Sequence, residues 1–178
     1  MDTERVFNEF LDALVEAPGA YKSYVWNSLW TQLATAALIK AGLAAAEGHG
    51  KKLCAAARNH KDERYGRSEY LTLDACIYDD DNWGPPLFIA EHENSKYPAK
   101  VQYCAWKLLV TEARCRVLVA YYTTDLGLDG LVDALRTVAG ANARMAPRGF
   151  TLIAAPYEGQ PESNAELRSM FELREVTG

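Results

Sequence analysis

Soft metal ligands are scarce in this chain, with four cysteines and three histidines among 178 residues. Cys54, Cys76, Cys104 and Cys115 contain no Cys-x-x-Cys pair, and His49, His60 and His92 do not space with them as zinc ligands would. A structural zinc site is thereby argued against, and the thiols read as buried and reduced. Apolar runs are short, and none reaches the length that spans a bilayer. The start, Met1-Asp2-Thr3-Glu4-Arg5, lacks the basic-then-apolar layout of a secretory signal. We therefore expect a cytoplasmic protein without a membrane partner. Internal repeats, low-complexity tracts and long linkers are absent too. Positive charge is in deficit: the formal net charge is −5 and the pI about 5.3. Tight non-specific binding of nucleic acid through overall charge is thus not expected.

What remains is 49% hydrophobic and 24% charged, which suits one globular domain with a real core. Val6, Phe7, Phe10, Leu11 and Leu14 recur at helical spacing over residues 3–17, and Pro18-Gly19 ends that pattern. A longer helix is predicted over 23–46, with Trp26, Leu29, Trp30, Leu33, Ala37 and Leu38 on its core face. Two strands follow near 69–79 and 86–93, joined by the turn-forming Asp79-Asp80-Asp81-Asn82-Trp83-Gly84-Pro85-Pro86, a hairpin signal. A helix over 97–113 starts at Pro98, with Asn94 or Ser95 as its cap. Arg116 to Tyr122 reads as a buried central strand, 128–142 as a helix and 149–155 as a further strand. Residues 170–176 read as an edge strand or a short helix. We expect an α/β fold: a three-layer α/β/α sandwich around a mixed sheet. The domain divides into an N-terminal helix (1–22), a core (23–155) and an acidic C-terminal extension (156–178).

Three carboxylates give the chain its chemistry. Asp74 lies in one apolar stretch, Leu71-Thr72-Leu73-Asp74-Ala75-Cys76-Ile77-Tyr78, and Glu91-His92-Glu93 closes another. On a strand, side chains alternate, so Glu91 and Glu93 share a face and His92 points away, toward packing or a supporting hydrogen bond. If the strands pair, Asp74 joins the two glutamates. Three clustered carboxylates raise one another's proton affinity unless a cation neutralises them. A hard ion such as Mg²⁺, with Mn²⁺ as a substitute, takes such an oxygen site. The pattern points to metal-assisted hydrolysis of a phosphodiester, with Asp74, Glu91 and Glu93 as ligands. A nearby lysine orients the water or the developing charge in such sites. Lys107 is the catalytic candidate, with surface snorkelling as the alternative. Lys96 and Lys100, on the same side, and Gln102, on the other flank, are secondary candidates. So is Glu69, which an odd spacing from Asp74 sends to the opposite face of a regular strand. Glu47 is weaker still.

One local basic stretch runs against the overall charge. Lys51, Lys52, Arg58, Lys61, Arg64 and Arg67 face only Asp62 and Glu63, a net charge of +4 within seventeen residues. It immediately precedes the Asp74 strand, so we read it as a nucleic-acid-binding candidate against the plainer alternative of a solvated loop. Trp83 would stack on a base or bury itself in a dimer contact, whereas Trp26 and Trp30 read as core.

An Asp in one hairpin strand, a Glu-x-Glu at the end of the next, then a helix and a buried strand resembles the PD-(D/E)XK nuclease superfamily, over about residues 24–122. Glu93 stands where the familiar form has lysine. Some members carry glutamate there, and others move the lysine to the following helix. The resemblance implies a restriction-endonuclease-like fold, Mg²⁺-dependent cleavage of DNA and a homodimer, with RNA or a protein as other partners. The alternatives are a non-catalytic binding module on the same fold and, more remotely, a carboxylate-pair hydrolase acting on sugars.

Overall fold

The computed structural model describes residues 2–25, 28–57, 72–80 and 84–178. Helix α1 (Thr3–Glu16) opens the chain, and Asp2 caps it by accepting from the Glu4 and Arg5 amides. A single 3₁₀ turn, Ala20–Ser23, leads toward α2 (Ser28–Ala46). Three antiparallel strands follow: β1 (Leu53–Ala57), β2 (Ala75–Asp79) and β3 (Phe88–Glu93). Helix α3 (Pro98–Val110) then crosses over to β4 (Cys115–Tyr122), parallel to β3, and α4 (Gly127–Ala141) to β5 (Phe150–Pro156), parallel to β4. The short α5 (Asn164–Ser169) leads into β6 (Glu172–Val176), antiparallel to β5. The sheet order is β1-β2-β3-β4-β5-β6.

Strand alternation divides the core into two layers. Ala75, Ile77, Phe88, Ala90, Val117, Val119 and Tyr121 face α1 and α2. Cys76, Ile89, Leu118, Ala120, Leu152 and Ala154 face α3 and α4. Helices therefore cover both faces of a mixed sheet, as expected. Helix α2 is long and apolar enough to cross a bilayer by length and composition, which the sequence reading of apolar runs missed. Here it is a core helix, with 56% of its apolar window buried. Trp30, near its start, meets Tyr24, Tyr121 and Phe171 in a buried aromatic cluster.

Several expectations change. The expected hairpin is a three-stranded meander, because Leu53–Ala57, within the basic stretch, adds β1 along the free edge of β2. The Pro98 helix is capped at Tyr97, with no side-chain hydrogen bond from Asn94 or Ser95 to a helix amide beyond it; the Ser95 hydroxyl accepts from the Tyr97 amide. The acidic C-terminal extension is built into the fold: β6 completes the sheet, and Leu167 and Phe171 are buried in the core.

Gly42 decides how closely α2 sits on the sheet. A Cβ there would lie 2.6 Å from the Phe88 ring and 2.8 Å from Ile77. Both side chains are fully buried in the core. Gly42→Ala gains about 1 kcal/mol of helix propensity, while overpacking a dense core costs about 1–3 kcal/mol. The expected net result is a loss of stability, read as a Tm lower by a few degrees. An unchanged or raised Tm would mean that α2 does not seat this tightly.

Candidate functional site

Asp74 stands just before β2, where Ala75 pairs with Ala90 of β3. Continuing that antiparallel register by one step places Asp74 beside Glu91. The His92 amide donates to the Asp74 Oδ2 at 2.9 Å, which fixes the carboxylate at the end of the β2–β3 ladder. Glu91 is buried, 2% exposed, on the face covered by α3. From α3, Lys107 brings its Nζ to 2.7 Å from Glu91 Oε1. The contact is an ion pair, and the Cys104 thiol is a second, weaker hydrogen-bonding neighbour of the same carboxylate. The ammonium also donates to the Thr72 carbonyl at 3.2 Å. Thr72 has φ +61°, a left-handed conformation uncommon for a β-branched residue. Strain of that kind concentrates at functional sites.

The electrostatics follow from burial. Desolvation, then the Asp74 charge, pushes the Glu91 carboxyl up to about 7, against the pull of the close Lys107 ammonium. Burial alone would lower Lys107, but Glu91, with Cys104 and Asp74, more than offsets it, so the amine is raised and stays charged at neutral pH. The Cys104 thiol is pushed up by burial and by Glu91, and stays protonated. It lies 3.9 Å from Glu93 Oε2 as a weak donor.

On the opposite face of β3, the His92 ring is buried, and its Nε2 lies 3.0 Å from the Tyr121 hydroxyl. That hydroxyl accepts from Trp30 Nε1 at 2.8 Å. Burial lowers the His92 ring to about 4, so it is neutral at physiological pH. His92 thus holds the strand end from behind, while its backbone amide holds Asp74. This is the supporting role that alternation assigned to it. No sequence signal marked Tyr121 and Trp30 as its partners, because the contact spans 29 and 91 residues of chain.

The other candidates disperse. Glu93 turns into the loop after β3, where its Oε1 accepts from the Ser95 amide at 2.8 Å. The expected trio therefore does not close: among the described residues no group of three or more His, Cys, Asp and Glu side chains is arranged to hold a metal. Gln102 reaches across to α4, donating to the Ala134 carbonyl at 3.4 Å, and so braces two helices rather than facing the acids. Lys96 and Lys100 are exposed, with Lys96 lying over the Tyr97 ring. Glu47 makes a surface ion pair with Arg5. Lys51 and Lys52 precede β1 at the Asp79 end of β2, the end away from Asp74, and Lys52 pairs with Asp80. Arg58, Lys61, Arg64, Arg67, Glu69, Trp26 and Trp83 lie outside the described residues.

The residues brought together are thus Asp74, Glu91 and Lys107, with Glu93 and Cys104 alongside. Of these, Asp74 and Glu91 carry hard oxygen donors that could hold one divalent cation in place of the Lys107 ammonium paired with Glu91.

Two titrations with opposite sign follow from this burial. Glu91 goes from 4.5 unfolded to about 7 folded. Between those values the folded state holds the extra proton, so its contribution to stability is full below 4.5 and falls as pH rises toward 7. His92 goes from 6.5 unfolded to about 4 folded, so its contribution is full above 6.5 and is lost as pH falls toward 4. The two slopes oppose each other where they overlap. Glu91→Gln removes only the first. In urea unfolding across pH 4 to 7.5, stability of the wild type relative to Glu91→Gln is expected to fall as pH rises from about 4.5 to about 7. A difference independent of pH would contradict the raised carboxyl.

Compared with protein-family models, characterised proteins and solved structures, the chain shows no match.

Proposed function

We propose that this protein is a divalent-metal-dependent nuclease acting on DNA, with Mg²⁺ as the natural ion and Mn²⁺ as its substitute. The observation that carries this reading is Lys107 placed 2.7 Å from Glu91, with Asp74 at the same strand end. Two acids and a lysine are the parts that phosphodiester hydrolysis needs. Asp74 and Glu91 would hold the ion, which supplies charge stabilisation at the phosphate and a more acidic bound water. Lys107 stays protonated, so it serves as a fixed cation toward the water or the phosphate oxygens and not as a base. His92 is a positioning residue, since it acts through the Asp74 carboxylate. The antiparallel β1–β3 meander, the α3 crossover and the parallel β4 are in keeping with the core of the PD-(D/E)XK superfamily. A lysine on the helix after the Glu-x-Glu agrees with the members that move it there.

Glu93 favours a second reading. Its carboxylate is engaged by the Ser95 amide, which leaves a two-acid set and suits a non-catalytic module that binds nucleic acid or a protein.

The test is cleavage of labelled DNA and RNA with Mg²⁺ or Mn²⁺, alongside calorimetric titration of each ion. Asp74→Ala, Glu91→Ala and Lys107→Ala are each expected to cut the rate by about 100-fold or more, with circular dichroism confirming that each remains folded. Ion binding without cleavage of any nucleic acid would favour the binding module. Neither binding nor cleavage would remove the metal site.

A further inference from the structure

The outer face of α3 carries aromatic surface that the core does not use. Tyr103 and Trp106 stack with ring centroids 5.7 Å apart and planes 24° from parallel, and they stay 58% and 44% exposed. The other large aromatic side chains among the described residues are buried or half-buried, Tyr97 apart; this pair is held flat and open to solvent. Lys107 links it to the acids. Its Nζ lies 5.5 Å from the Tyr103 ring centroid while it pairs with Glu91. The charge on this helix is of one sign. In a chain of net charge −5, α3 carries Lys100 and Lys107 and no acidic residue.

The geometry points to a base-stacking shelf for single-stranded nucleic acid, which leads the strand across Tyr103 and Trp106 to the Asp74–Glu91 site. Aromatic faces with flanking cations suit a polyanion whose bases are unstacked, because the bases of a duplex hide their faces in the stack. A purely apolar partner would gain nothing from the lysines. The shelf's place beside the scissile bond rests on the nuclease reading; its affinity for a strand does not.

The experiment measures anisotropy of a fluorescently labelled single-stranded 12-mer and of the matching duplex, with EDTA present so that cleavage plays no part. Full-length wild type, Trp106→Ala, Tyr103→Ala and Trp106→Phe are compared. These side chains are exposed, so the variants are expected to keep the wild-type Tm. Wild type should prefer the single strand. Trp106→Ala should weaken that binding by about 10-fold or more, the scale of one lost base–aromatic stack, with duplex affinity unchanged and Trp106→Phe close to wild type. A duplex preference, or single-strand affinity insensitive to both alanine variants, overturns the shelf. Dimerisation abolished by Trp106→Ala, seen in sedimentation equilibrium without strand binding, also overturns it by making this face a contact between copies. Binding as expected without metal-dependent cleavage would sink only the nuclease reading; cleavage with no alanine effect would sink only the shelf.

Discussion

The structure around β3 turns on one buried charge, the Glu91 carboxylate. A carboxylate removed from water must be neutralised, paired or protonated. Here all three answers compete. The neighbouring Asp74 opposes ionisation, burial opposes it more, and Lys107 favours it, helped by a hydrogen bond from the Cys104 thiol. The balance leaves Glu91 near neutrality in its titration, at about 7. A group so poised responds strongly to an added cation, and a merely structural carboxylate would not need to be. An apolar residue would stabilise the same position better, since buried ion pairs seldom recover their desolvation. The cost is consistent with a functional site.

The sheet makes that balance possible by using both of its faces at one point. On one face, α3 brings Lys107 and Cys104 against Glu91. On the other, the aromatic layer under α1 and α2 holds His92 through Tyr121 and Trp30. Between them runs the backbone of β3, whose His92 amide fastens Asp74. The acids are therefore supported by two independent packing layers. Gly42, which lets α2 close on Phe88 and Ile77, belongs to the same support.

Much of this was legible in the sequence, and what was not has particular causes. The helices at α1, α3 and α4 and the strands at β4 and β5 follow from strong periodicity or unbroken apolar runs. Alternation also placed Glu91 and His92 on opposite faces. Strand β1 escaped notice because Leu53-Cys54-Ala55-Ala56-Ala57 has little intrinsic strand preference; it is a strand because β2 offers an edge and α2 a close cover. The cap of α3 was misplaced by two or three residues because the loop after β3 uses Ser95 for a turn and Glu93 to meet the Ser95 amide. That local bond is also what withdraws Glu93 from the expected trio. Gln102 and Lys107 read as polar residues on opposite flanks of one helix, Lys107 as the catalytic candidate and Gln102 as a secondary one. Only the position of α4 sends Gln102 away from the site, and only the depth of Glu91 draws Lys107 in.

The central claim is that Asp74 and Glu91 hold a divalent ion. A crystal grown with Mn²⁺ and measured near the manganese absorption edge tests it most directly. An anomalous peak is expected within coordination distance of both carboxylates, with the Lys107 ammonium moved off Glu91. No peak at that position, with Lys107 still seated on Glu91, would contradict it.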